Sequence, residues 1–137
     1  MSAQEEMLVL DKLVTDGLLF ADPALHTELD QWSLRALQLG PEIRTLVGSR
    51  GAVLVETGRY EEGKALLETV AFADDAAPFD ALISRIFLAR AEHALGNGVA
   101  AARLMTQVRS AIANPGSAGP ATMALIERVE SEMKAKP

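Results

Sequence analysis

Cysteine is absent from the 137 residues, which removes disulfides, thiolate metal sites and cysteine nucleophiles together. Aromatic residues make up only 4% of a chain that is 49% hydrophobic. A core must therefore be aliphatic and alanine-rich, a composition that suits closely packed helices better than sandwiches of large β residues. Positive charge is also scarce: the formal net charge is −6 and no basic stripe interrupts it, which excludes the phosphate-driven footprint of a nucleic-acid binder. No apolar run approaches the roughly 18 residues of a membrane-spanning helix. Met1 to Glu6 holds two glutamates and no basic residue ahead of the first apolar stretch. It lacks the charge order of a secretory signal, so the cytoplasm is the expected location. No segment sustains the apolar–polar alternation of a strand. The length suits one domain with its own core.

What the chain does contain is a period. Gly17, Gly51 and Ala89 stand mid-way in apolar helical segments, 34 and then 38 residues apart. The same two intervals separate Leu29, Gly63 and Ala101, and again Ala36, Val70 and Val108. Three columns thus share one register, with a single insertion near Asp74 to Ala81. A period of about 34 residues built as helix, turn, helix is the mark of stacked helical hairpins, in which each unit buries its apolar face against the next.

Helical spacing and breakers predict seven helices. The first runs from about Ala3 to Phe20, and Asp22-Pro23 opens the second, which Gly40-Pro41 stops. A third covers about Glu42 to Thr57 and ends at Gly58; a fourth begins at Tyr60. The fifth spans roughly Phe79 to Leu95 and stops at Gly96-Asn97-Gly98, and the sixth covers about Val99 to Ala113. After the break from Asn114 to Pro120, a last helix from about Ala121 to Lys136 carries Thr122, Leu125, Ile126, Val129 and Met133 on one stripe, placed to cover the flank of the third hairpin. Leu10, Leu13 and Phe20 belong to the apolar face of the first helix, and Trp32 to the packing between hairpins.

The segment Gly51-Ala52-Val53-Leu54-Val55-Glu56-Thr57-Gly58-Arg59-Tyr60-Glu61-Glu62-Gly63 resembles the tetratricopeptide repeat family. It has the small residue of the first helix, the glycine turn, the aromatic residue opening the second helix and the small residue three positions later. Ala36-Leu37-Gln38-Leu39-Gly40-Pro41 is similar to the family's closing alanine, leucine and proline. The resemblance implies an all-α superhelix of three hairpins, at about 10–43, 44–77 and 82–115, with a capping helix at about 121–136. The third repeat departs from the pattern at Arg85 and Glu92, expected to bracket an edge against the last helix.

The resemblance also implies a concave groove lined by the first helix of each hairpin, and a protein or peptide as partner. Val14 and Leu18 would come from the first helix, Thr45, Gly48, Ser49, Ala52 and Val55 from the third, and Ile83, Ile86, Arg90 and His93 from the fifth. Arg90 and His93 are the groove positions able to meet a carboxylate. The asparagines and lysines with which some members clamp a partner's terminal carboxylate have no counterparts here, which disfavours a chaperone tail. Catalysis is not expected: His26 and His93 lack partners at metal-ligand spacing, no serine has a recognisable base, and no glycine cluster forms a phosphate loop. No metal or cofactor is therefore expected. A self-association module forming a homodimer, or a regulatory arm of a larger enzyme, are the alternative readings.

Overall fold

A computed structural model describes residues 1–114 and 117–135. They form seven α-helices, α1 (Ala3–Phe20), α2 (His26–Leu39), α3 (Arg44–Glu56), α4 (Tyr60–Ala71), α5 (Pro78–Ala94), α6 (Gly98–Ala111) and α7 (Pro120–Lys134), with a short 3₁₀ turn at Pro23–Leu25 before α2. No strand occurs among the described residues. Pro115 and Gly116 of the predicted break, and Lys136 at the predicted end of the last helix, lie outside the described residues.

Local chemistry sets the helix ends. The Ser2 hydroxyl accepts from the Glu5 backbone N–H (3.1 Å) and the Glu5 carboxylate accepts from the Ser2 N–H (3.2 Å), a reciprocal box that starts α1. Asp22 accepts from Ala24 N (3.0 Å) and Pro23 follows it, so the chain turns through 3₁₀ geometry and α2 begins only at His26. Gly58 and Gly96 take left-handed φ values of 90° and 87°. Each is followed by a six-residue closure, Arg59 N to Leu54 O (2.7 Å) and Asn97 N to Glu92 O (2.8 Å). These matched glycine stops end α3 and α5 and let α4 and α6 fold straight back.

Each of α1 to α6 packs on its sequence neighbour, and α3 also packs on both α1 and α5. Short connections make the neighbours antiparallel, so α1, α3 and α5 form one layer while α2, α4 and α6 lie behind it. All nine column positions are buried. The reason is visible at two of them: a methyl group at position 17 would stand 2.6 Å from Leu29 Cδ2, and one at position 51 would stand 2.8 Å from Leu67 Cγ. Phe87 and the aliphatic residues around it, including Val14, Val53, Leu67 and Ile86, make one continuous core, the aliphatic interior that a 4% aromatic content requires.

Three expectations need correction. The apolar stripe of α7 is buried as foreseen, with Leu125, Ile126 and Val129 at 1% exposure or less, but α7 touches α1 as well as α5. It lies across the α1–α3–α5 layer instead of capping the third hairpin alone. Leu13 and Phe20 of α1 are 39% and 77% exposed, because none of the described helices covers the outer side of α1. Arg85 and Glu92 face α4, not the last helix. Arg85 Nε donates to Ala71 O (3.0 Å) and its guanidinium lies over the Phe72 ring, while Glu92 pairs with Lys64 (2.7 Å).

Candidate functional site

The surface presented by α1, α3 and α5 is divided by α7 into a covered half and an open half. The covered half lies near the C-terminal ends of α3 and α5, where four charged side chains tie α7 down. Glu56, at the end of α3, has only 4% of its side chain exposed and pairs with both Arg90 of α5 and Arg128 of α7. Arg90 also donates through Nε to Glu132 of α7 at 2.8 Å. Burial alone would lower the pKa of Arg90, but the charges of Glu56 and Glu132 outweigh it and the pKa is raised. Neither glutamate can lose Arg90 without leaving a carboxylate poorly compensated in a half-dry setting. A further pair, Arg109 Nε to Glu130 Oε2 at 3.0 Å, fastens α7 to α6.

The open half is a cleft of about 120 Å³. Its apolar walls include Leu18 and Leu19 of α1, Ile83 and Phe87 of α5, and Leu125 of α7, with Phe79 at the rim 46% exposed. Its polar floor is assembled from three helices. Asp11 of α1 accepts from the Ser49 hydroxyl of α3 at 2.8 Å, and Asp80 of α5 accepts from the Thr45 hydroxyl of α3 at 2.6 Å. Between them lies the bare backbone of Gly48, with the Ser84 hydroxyl 3.1 Å from where a methyl group at position 48 would stand. Burial pushes the Asp11 carboxyl above its usual range; the Ser49 hydrogen bond opposes the shift and the negative charge of Asp80 adds to it. Among the described residues, no basic side chain lines the cleft.

The eleven residues expected in the groove are thereby split. Val14, Leu18, Ala52, Val55 and Ile86 are buried; of these only Leu18 reaches the cleft wall, and the rest serve the core. Thr45, Gly48, Ser49 and Ile83 line the open cleft. Arg90 is drawn into the ion network, so the carboxylates it meets belong to this chain, and His93 is half-buried beyond it and lines no part of the cleft. Sequence reasoning missed Asp11, Asp80, Ser84 and Glu56. Asp11 and Glu56 each interrupt an otherwise apolar run, Val9-Leu10-Asp11 and Val53-Leu54-Val55-Glu56, which is a usable signal for a charge held inside. Asp80 gave none, because an aspartate in a first helical turn is already accounted for by the helix dipole. Among the described residues no group of three or more histidine, cysteine or acidic side chains is placed to hold a metal. No family model, curated protein or solved structure matches this chain.

Proposed function

We propose that the chain is a tetratricopeptide-like array of three helical hairpins that binds a segment of a protein or peptide, without catalysis, in the half of its groove left open by α7. The burial of all nine positions that repeat at intervals of 34 and 38 residues supports the array. The observation that carries the binding role is the cleft itself: four helices, α1, α3, α5 and α7, converge on an open recess of about 120 Å³. Sites for drug-sized ligands and cofactors run to roughly 300–1,000 Å³. A recess this small takes one side chain of a longer partner, and the exposed ring of Phe79 beside it offers an aromatic anchor of the kind interfaces use.

Selection of linear peptides displayed against the purified chain tests this reading. Peptides that bind should lose at least about tenfold in affinity to the variant Ser49→Trp, which fills the cleft, while its melting temperature stays within a few degrees of the parent. Selected peptides that bind Ser49→Trp as well as the parent would place the function elsewhere.

One observation favours self-association as the second reading. Val9, Leu13 and Phe20 lie along one outer stripe of α1 and are 47%, 39% and 77% exposed, beside Leu8 at 68%. A second copy of α1 could cover that stripe through a two-fold contact. Sedimentation of the free chain decides it: a dimer that Leu13→Lys returns to monomer supports this reading, and a monomer removes it.

A further inference from the structure

We infer that the open cleft is a subsite for a lysine side chain of the bound segment, its ammonium held between Asp11, Asp80 and the Ser84 hydroxyl and its methylene stem lying along Ile83 and Phe87. This inference rests on the peptide-binding reading above and names the residue that the recess takes.

Asp11 and Asp80 belong to different helices, and neither enters any ion pair among the described residues. Each spends one oxygen on a neighbouring hydroxyl, Asp11 Oδ1 on Ser49 and Asp80 Oδ2 on Thr45. One unengaged carboxylate oxygen remains on each, in a recess whose walls are otherwise apolar. Both aspartates are half-buried; charge partly withdrawn from water without a counter-ion is unfavourable, and a cation is the occupant that relieves it.

Ser84 is an independent pointer. It is 3% exposed and lines the cleft, yet its hydroxyl has no hydrogen-bond partner among the described residues. The hydroxyl oxygen is not sealed off but open to the recess, where an incoming donor can reach it. Its position over the backbone of Gly48 leaves it facing the same recess as the two carboxylates.

The chemistry selects ammonium over guanidinium. An arginine fork is at its best when both oxygens of one carboxylate are free to accept it in plane. Here one oxygen of each carboxylate already accepts from a hydroxyl, so an in-plane fork would have to share it. A lysine head is compact and carries three donors, and the recess offers three separate acceptors, Asp11 Oδ2, Asp80 Oδ1 and Ser84 Oγ. The volume agrees: about 120 Å³ is well above what a single water requires and well below the roughly 300–1,000 Å³ of drug-sized sites, room for one alkylammonium chain. The side chains lining the recess from α3 and α7 are not titratable, so among the described residues Asp11 from α1 and Asp80 from α5 are the charges an incoming group meets. A cation seated there should bring the raised Asp11 pKa down.

The experiment is a titration of the full chain, followed by amide ¹H–¹⁵N correlation spectra, with Nα-acetyl-lysine N-methylamide. The norleucine, Nε-acetyl-lysine and arginine counterparts are run in parallel. The lysine compound should give saturable shifts at Gly48, Ser49 and Ser84, and the other three should bind at least about tenfold more weakly. The double variant Asp11→Asn, Asp80→Asn should lose the lysine response by a similar factor. Ser84→Ala should weaken it with the melting temperature preserved, which keeps the test open if the double variant folds poorly. Equal binding of norleucine would make the cleft merely apolar, equal binding of arginine would remove the ammonium selectivity, and absence of any response to the lysine compound would also overturn the inference. A displayed peptide that binds the parent, is lost with Ser49→Trp and needs no lysine would overturn the subsite while leaving the peptide-binding array in place.

Discussion

Gly51 shows how closely single atoms are held in this molecule. A methyl group there would stand 2.8 Å from Leu67 Cγ and 3.2 Å from Gly63 O, and one at position 63 would stand 2.8 Å from Gly51 O. The two backbones of α3 and α4 therefore cross with no side chain between them, and a carbonyl oxygen cannot rotate away as a side chain can. Replacing Gly51 by leucine should destabilise the chain by roughly 1–3 kcal/mol or more through overpacking. Thermal melting of Gly51→Leu checks it; a parent-like melting temperature would mean that α3 and α4 do not cross at this residue. The same scale governs Glu56, whose carboxylate is almost wholly buried yet compensated by two arginines from two other helices. The isosteric change Glu56→Gln would keep the shape of the side chain and lose the charge that both guanidiniums face.

At the scale of elements, α7 is the one helix whose place its neighbours in sequence do not impose. Its stripe of Leu125, Ile126 and Val129 is buried against α1 and α5. Its polar edge meets Glu56 through Arg128, Arg90 through Glu132 and Arg109 through Glu130. Full burial of each of those three apolar residues contributes roughly 1.5–3 kcal/mol as an upper estimate, which together is comparable with the whole stability of about 5–15 kcal/mol expected for a domain. Ending the chain after Asn114 would expose the apolar face beneath α7 and leave Glu56 without Arg128. The truncated protein should aggregate or melt at a much lower temperature, as arrays without a polar cap do. A monomeric product with an unchanged melting temperature, measured by calorimetry and light scattering, would show that α7 is not part of the folded unit.

For the molecule as a whole, opposing carboxylates set the response to pH. Hydrogen bonds hold four of them below their ordinary range: the Ser2 N–H for Glu5, and Arg35, Arg50 and Arg109 for Glu6, Asp30 and Glu130. A carboxylate with a lowered folded pKa contributes stability above its unfolded value and loses that contribution as pH falls through the folded one. These are surface or half-exposed pairs, so each contribution is small. Asp11 has the opposite sign. Its pKa is raised by burial from an ordinary 3.8, so its favourable contribution is present below that value and lost as pH rises through the folded one. The melting temperature should therefore fall on acidification below about 4.5, the ordinary glutamate value. Asp11→Asn should raise it at neutral pH, and that gain should vanish by about pH 3, where the aspartate is protonated in both states. A neutral-pH loss of stability in Asp11→Asn would show that Asp11 already has a compensating partner. A gain would mark a charge retained against stability, as binding sites commonly do.

Helix number and boundaries were legible in the sequence because they depend on local facts: the 3.6-residue period, the Ser2–Glu5 box, Asp22-Pro23, and the glycines at 58 and 96 that alone accept a left-handed turn without strain. The buried columns were legible for a related reason, since only small or aliphatic residues fit where backbones cross, and their recurrence at one pair of intervals betrays the crossings. Part of one face was legible in outline: Thr45, Ser49 and Ile83, expected side by side, line a single cleft. What tertiary structure alone decided is the crossing of α7. Its stripe is equally suited to the flank of the third hairpin and to the α1–α3–α5 layer; contacts with α1, more than 100 residues away in sequence, select the second. That choice withdraws Arg90 into an internal ion network and leaves only part of the groove open. It also decides the polar character of what stays open. Asp11 and Asp80 are 69 residues apart, and nothing local to either marks it as the other's neighbour. Their meeting follows from the stacking of α1, α3 and α5, an outcome of long-range burial that no short window of sequence contains.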